Sequence, residues 1–201
     1  MIIIEHRVNT KKQLIQLPKF YGVEVDIRSY GKKLIINHEP FKESLTFQSW
    51  LKNFNHKFLI ANIKEEGIEY TVLKLLKKFN IKNYFLLDVT VPQIIKLEKD
   101  NINALALRVS KYENFKGIAN YKKFYKWLWI DTFDEKIPLK FNSIKQLKLL
   151  GHKICLVSPE LGSPKIDLHK FCKKNFSTLK FIDAVCSKNT LFWNNYIKNF
   201  F

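Results

Sequence analysis

Glycine is scarce in this 201-residue chain: there are six. Phosphate cradles of backbone amides are built on glycine-rich turns, so any anion bound here falls to side chains. Cysteine is scarcer still. Cys155, Cys172 and Cys186 make an odd count without metal-ligand spacing, which reads as a reduced, cytoplasmic protein. No apolar run approaches the roughly 20 residues of a membrane helix, so no integral membrane segment is expected. The start reaches charge by Glu5 and has neither a basic nor a long apolar region, so no signal peptide is expected. No Ser/Gly-rich linker or low-complexity block divides the chain, and a single domain over 1–201 is expected.

Acid is also in deficit, with 18 Asp+Glu against 35 Lys+Arg and a net charge of +17. Such a balance invites nucleic acid or an anionic membrane surface as partner. Only three basic residues are arginine, however (Arg7, Arg28 and Arg108); the other 32 are lysine. Base readout favours the arginine fork, and the lysines are spread over most of the expected helices. No nucleic-acid partner is expected. A basic surface binder of nucleic acid or anionic lipid stays as an alternative, using the lysines and the aromatic stretches 121–129 and 192–201.

What is present is alternation. Short apolar, β-rich runs occur at Ile2–Glu5, 23–28, Phe58–Ile63, 84–88, 104–109, 127–131, Lys153–Val157 and 182–186. A ninth, 34–37, follows a Tyr30-Gly31-Lys32 turn and pairs as a hairpin with the second. Amphipathic helical patterns lie at 11–17, 44–53, 68–79, Val91–Lys99, 112–124, 143–150, 165–175 and Thr190–Phe200. Asn9-Thr10 and Ser143 suit helix N-caps, Pro92 a first helical turn, and Gly151 a C-terminal cap. Eight strands alternating with eight helices is the arithmetic of a (β/α)8 TIM barrel, here near its minimal length. The runner-up is an open doubly wound sheet. It predicts a glycine-rich first turn, and the turn here is His6-Arg7-Val8-Asn9-Thr10.

Barrel chemistry collects at the C-terminal ends of strands. Those ends carry His6 and Arg7, Asn37-His38-Glu39, Asn62 and Lys64, Asp88, Arg108, Asp131, and Ser158-Pro159-Glu160. Glu24 and Asp26 stand at i and i+2 on a strand, so both point to one face, roughly 6–7 Å apart. Something positive must join them. A divalent cation with oxygen ligands, Mg²⁺ or Ca²⁺, is one answer; salt bridges to Arg7, Arg28 or Lys64 are the other. Two imidazoles, His6 and His38, can divide general-base and general-acid work near neutral pH. Arg7 suits an anionic oxygen.

Read together, His6-Arg7, Asn9-Thr10, Glu24-Val25-Asp26 and His38-Glu39 resemble, in order and spacing, the N-terminal signature of the glycerophosphodiester phosphodiesterase family, within the phosphatidylinositol-specific phospholipase C-like barrel superfamily. The resemblance is clearest over about the first 65 residues. It implies His6 and His38 as the acid/base pair, Arg7 and Lys64 as phosphate contacts, and Glu24, Asp26 and Asn62 as ligands of Mg²⁺ or Ca²⁺; Arg108, a strand-end cation, joins Arg7 and Lys64 as a substrate-binding candidate. Asp131 and Glu160 stand as additional candidates for the site's negative charge. The implied activity is cleavage of a small glycerol-, polyol- or sugar-phosphate diester through a cyclic phosphate. A non-catalytic phosphate-sugar binder of the same barrel is the alternative, and the compact Asn-x-Lys and Ser-Pro-Glu pattern looks like that of polysaccharide-locus proteins. The chain departs from the signature at Val8, where glycine is usual, in the shortened loop before Asn9, and at Asn62, where a glutamate is usual.

Overall fold

The computed structural model describes residues 1–113 and 124–200. Among these residues nine strands form one sheet: β1 (Ile2–Glu5), β2 (Gly22–Tyr30), β3 (Lys33–Ile36), β4 (Phe58–Ile63), β5 (Tyr84–Leu87), β6 (Ala106–Val109), β7 (Trp127–Ile130), β8 (Lys153–Val157) and β9 (Ala184–Ser187). Eight of them are parallel, in the order β5-β4-β2-β1-β9-β8-β7-β6. β5 and β6 close the ring through a parallel bridge between Leu86 and Leu105, where the Leu86 N–H donates to Ala104 O at 2.9 Å. The (β/α)8 TIM barrel is therefore the fold, with β3 hanging antiparallel on β2 as the hairpin partner.

The helices follow the strands: α1 (Lys11–Gln16), α2 (Phe47–Leu51), α3 (Glu69–Lys78), α4 (Val91–Lys99), α5 (Phe141–Leu149), α6 (Leu168–Lys174), α7 (Phe176–Leu179) and α8 (Thr190–Phe200). Thr10 caps α1, accepting from the Gln13 N–H while Gln13 bonds back to the Thr10 N–H. Pro92 lies in the first turn of α4, and Gly151 takes φ 85 just past α5. Ser143 is not the cap of α5: the helix starts at Phe141 and Lys140 is the flanking extended residue. The expected helix over 112–124 lies, but for its ends, outside the described residues.

Two apolar layers result. The larger packs helices on the outer face of the sheet, with Leu14, Trp50, Val72, Leu76, Ile94, Leu97 and Trp193 against Val23, Val25, Leu59 and Leu128. The smaller fills the barrel: Ile4, Phe58, Ile60, Phe85, Trp127, Trp129, Cys155 and Cys186. Alternation along β2 sends Gly22, Glu24 and Asp26 to that inner face. Gly22 sits where the large residues crowd. A Cβ there would meet Ile4 Cγ1 at 2.9 Å and Phe58 Cβ at 3.1 Å. Above it, β2 carries two carboxyl groups: Glu24 is level with Ile60 of β4, and Asp26 with Asn62.

Candidate active site

Glu24 and Asp26 are both fully buried at the C-terminal mouth of the barrel. Their surroundings come from three adjacent strands. After β1 the chain turns sharply at Arg7, whose φ of 55 is left-handed, a conformation that costs a non-glycine residue about 1 kcal/mol or more. That turn aims the Arg7 backbone N–H at Glu24 Oε2, 2.7 Å away. The Val8 N–H donates to Glu24 O at 2.8 Å. Asn9 completes the seam: its Nδ2 donates to Asp26 Oδ2 at 2.8 Å and its Oδ1 accepts from the Asp26 N–H at 3.0 Å. The Val8 side chain is buried in the outer core, which accounts for an apolar residue at a position where the resembled signature has glycine.

β4 supplies the other side. Asp26 and Asn62 are register partners, and the Asn62 amide nitrogen donates to Glu24 Oε1 at 2.7 Å and to Asp26 Oδ1 at 3.2 Å. Lys64 Nζ lies 3.4 Å from Asp26 Oδ1, and Arg7 Nε lies 3.7 Å from Asp26 Oδ2. Arg28, the third cation considered from sequence, does not join the pair; it donates to the backbone carbonyls of His38 and Lys64, both at 2.9 Å. Burial, and then the charge of Asp26, push the Glu24 carboxyl up to about 7.

His6 Nε2 is 3.8 Å from Glu24 Oε2. Burial, with the adjacent Arg7 charge, lowers the imidazole to about 4, so it is neutral at pH 7. His38 stands apart from this group. Its side chain is 40% exposed and its Nδ1 pairs with Glu39 Oε1 at 2.7 Å. Through its carbonyl oxygen Arg28 ties it to the same end of the barrel as Lys64.

A cavity of about 220 Å³ opens over the site. His6, Arg7, Asn62 and Lys64 line one wall, and Arg108, Trp129, Asp131 and Phe133 line the other. Asp88 joins the two walls: it accepts from Lys64 Nζ at 3.2 Å and from Arg108 Nη2 at 2.5 Å. Arg108 also bonds Asp131, which accepts in addition from Trp129 Nε1 at 3.1 Å. Burial opposes the Arg108 charge, but Asp88 and Asp131 outweigh it and raise its pKa. Glu160 is held elsewhere, accepting from Ser158, from Ser187 Oγ at 2.5 Å and from the Lys188 N–H at 3.3 Å.

Of the residues picked from sequence, the structure thus gathers His6, Arg7, Glu24, Asp26, Asn62 and Lys64 into one cluster. It sets Arg108 and Asp131 on the facing wall and leaves His38 and Glu160 off the cavity lining. Asp88, noted only as a strand end, turns out to be the bridge. Trp129 was missed, although Trp127, Trp129 and Asp131 alternate along β7 and so share the inner face.

Among the described residues no three His, Cys, Asp or Glu side chains converge as a metal-binding set. The third position of the triangle is Asn62. Among the described residues its buried Oδ1 has no hydrogen-bond partner, while its Nδ2 marks a point within reach of both carboxyl groups. Turning the amide over brings Oδ1 beside Glu24 Oε1 and Asp26 Oδ1, and the three oxygens together can face a cation. This donor set fits a hard, oxygen-seeking cation such as Mg²⁺ or Ca²⁺.

No protein-family model matches the chain, and no curated protein matches it in sequence. Solved structures do match. An Agrobacterium tumefaciens protein assigned to the glycerophosphoryl diester phosphodiesterases superposes with TM-score 0.69, at 9% identity, over 98% of this chain and 97% of that one. A glycerophosphodiester phosphodiesterase from the same organism gives 0.65 at 12% identity, over 94% and 95%. A glycerophosphoryl diester phosphodiesterase from Parabacteroides distasonis gives 0.66 at 10% identity, over 93% and 82%. At 9–12% identity what is shared is architecture: this chain folds as the glycerophosphodiester phosphodiesterases fold.

Proposed function

We propose that the chain is a divergent, metal-dependent phosphodiester hydrolase of the glycerophosphodiester phosphodiesterase type, acting on a small glycerol-, polyol- or sugar-phosphate diester. One observation carries this reading: the buried Glu24–Asp26–Asn62 triangle meets His6, Arg7 and Lys64 at the C-terminal mouth of a barrel shared with those enzymes.

Glu24, Asp26 and Asn62 would hold Mg²⁺ or Ca²⁺, which when bound neutralises charge on phosphoryl oxygens and acidifies a neighbouring hydroxyl. Arg7 and Lys64 face the cavity and pair with the anionic phosphate oxygens. A neutral His6 has a ring nitrogen ready to take the proton of the substrate hydroxyl next to the phosphate. That hydroxyl oxygen forms a bond to phosphorus as the bond to the leaving alcohol breaks, giving a cyclic phosphate. His38 protonates the leaving oxygen from the rim. Water then opens the ring: His38 takes a water proton and His6 returns its own to the ring oxygen. Arg108, held by Asp88 and Asp131, fixes the facing wall where the alcohol part of the substrate lies. The setting is cytoplasmic, a reading supported by three free, buried thiols.

The position of His38, outside the cavity lining and paired with Glu39, favours a second reading: a phosphate-sugar binder that keeps the barrel without turnover. The two separate in one experiment. Hydrolysis of a panel of glycerophosphodiesters and a chromogenic diester is followed with Mg²⁺, Ca²⁺ or EDTA, for the wild type, His6→Ala and His38→Ala. Metal-dependent turnover lost in both variants supports the hydrolase. Absence of turnover, with phosphate-ester binding lost in Arg7→Ala, supports the binder. Absence of both, with steeply salt-dependent DNA or lipid binding indifferent to these substitutions, favours a basic surface binder.

A further inference from the structure

We infer that Asn62 is a two-sided latch: its amide nitrogen holds Glu24 and Asp26 together when no cation is present, and its carbonyl oxygen faces a divalent cation when one binds. The inference rests on the proposed reading of this triangle as a cation site.

Each amide hydrogen of Asn62 has its own carboxyl acceptor, Glu24 Oε1 at 2.7 Å and Asp26 Oδ1 at 3.2 Å. A third carboxylate at this position could donate nothing to either. It would add a like charge to a pair with no solvent exposure, and the three would separate unless a cation or protons joined them. With Asn62 the metal-free pair is closed by hydrogen bonds from a neutral amide, while Lys64 and Arg7 balance Asp26 from outside. The other end of the amide is the second observation. Oδ1 is buried and unpartnered in this arrangement, a loss that the closed pair imposes. Turning the amide over without a cation would aim oxygen lone pairs at two carboxyl oxygens. With a cation between them, the same turn supplies a ligand. Amide orientation and cation occupancy are therefore coupled.

Two consequences distinguish this chain from a three-carboxylate barrel. The protein folds without metal, and its cation is held weakly, because binding must break two hydrogen bonds and gains one neutral ligand in place of a charged one. Asn62→Asp should trade one property for the other.

The test reads binding and stability, so it does not depend on turnover. Wild type, Asn62→Asp and Asn62→Leu are stripped with EDTA at pH 8. Calorimetric titrations with Ca²⁺ and Mn²⁺, and thermal melts with and without each cation, follow. Asn62→Asp is expected to bind about tenfold tighter or more and, when metal-free, to melt below wild type. Asn62→Leu is expected to lose both the cation and part of the metal-free stability. In ¹⁵N-labelled wild type, the Asn62 side-chain amide resonances should move as Ca²⁺ is added. Asn62→Asp affinity within about twofold of wild type, equal metal-free melting of the two, or wild-type amide resonances unmoved by Ca²⁺ up to tens of millimolar overturns the latch. If the Asp variant folds only with cation present, the trade is confirmed in its extreme form. A latch found in a protein that cleaves no diester would sink the hydrolase reading and leave the latch standing; the converse result would do the reverse.

Discussion

The indole nitrogen of Trp50 donates to the backbone carbonyl of Val8 at 3.0 Å, tying α2 to the loop that carries His6 and Arg7. Trp50 is fully buried. Trp50→Phe keeps most of the apolar contact and removes the donor, leaving a buried carbonyl unpaired. A loss of about 1–3 kcal/mol is expected in urea unfolding. Because the same loop aims the Arg7 N–H at Glu24, phosphate-ester affinity should fall by more than the small unfolded fraction explains. Unchanged affinity in a destabilised variant would disconnect α2 from the site.

Glu24 and His6 impose opposite pH dependences on stability. Glu24 titrates near 4.5 when unfolded and near 7 when folded. Its favourable contribution is full below pH 4.5 and is lost as pH rises through 7. His6 goes from 6.5 down to about 4, so its contribution is present above 6.5 and is lost as pH falls through 4. Between 4.5 and 6.5 the two offset each other. Glu24→Gln should therefore stabilise the metal-free protein at pH 8, by up to roughly 3 kcal/mol, and leave it little changed at pH 4. The variant should also expose the His6 slope, with stability rising from pH 4 to 6.5. Urea titrations in EDTA across that range check both; parallel curves for wild type and variant would show that Glu24 is not the group responsible.

The same imidazole sets the acid limb of activity under the proposed mechanism. A base that is neutral down to about pH 4 keeps kcat/KM high well below the 6.5 of an ordinary histidine. A pH profile taken at saturating cation, which keeps Glu24 ionised, and still centred near 6.5 on its acid limb would take the general-base role away from His6.

Cys155 and Cys186 lie inside the barrel, where burial holds both thiols well above the ordinary range, and burial pushes Cys172 up to about 12. Thiolate is the reacting form, so a thiol reagent should label none of the three in the native protein at pH 8 and all three in denaturant. Rapid native labelling of any one would show local opening at that strand or helix.

Much of the fold was legible because apolar runs ended in charge. β1, β4 and β8 fall at the bounds read from sequence, each closed by a polar residue or a turn. Glu24 and Asp26 were placed on one face by strand alternation alone. What escaped was whatever depends on local backbone geometry. Glu160 follows β8 as a strand end should, but a 3-10 turn at Pro159–Leu161 delivers its carboxylate to Ser158 and Ser187. Asp88 bridges Lys64 and Arg108 from a left-handed turn, φ 60, that its residue type does not announce. Position 62 could be read from the chain; the direction of its amide could not, because that follows from the register of β4 against β2.

The two walls of the cavity come from different stretches of chain. His6, Arg7, Glu24, Asp26, Asn62 and Lys64 all precede residue 65, whereas Arg108, Trp129, Asp131 and Phe133 belong to the second half. Asp88 is the tie between them. Substitutions in the later segment can reshape one wall while the earlier one stays intact, so the two walls are open to change independently of each other.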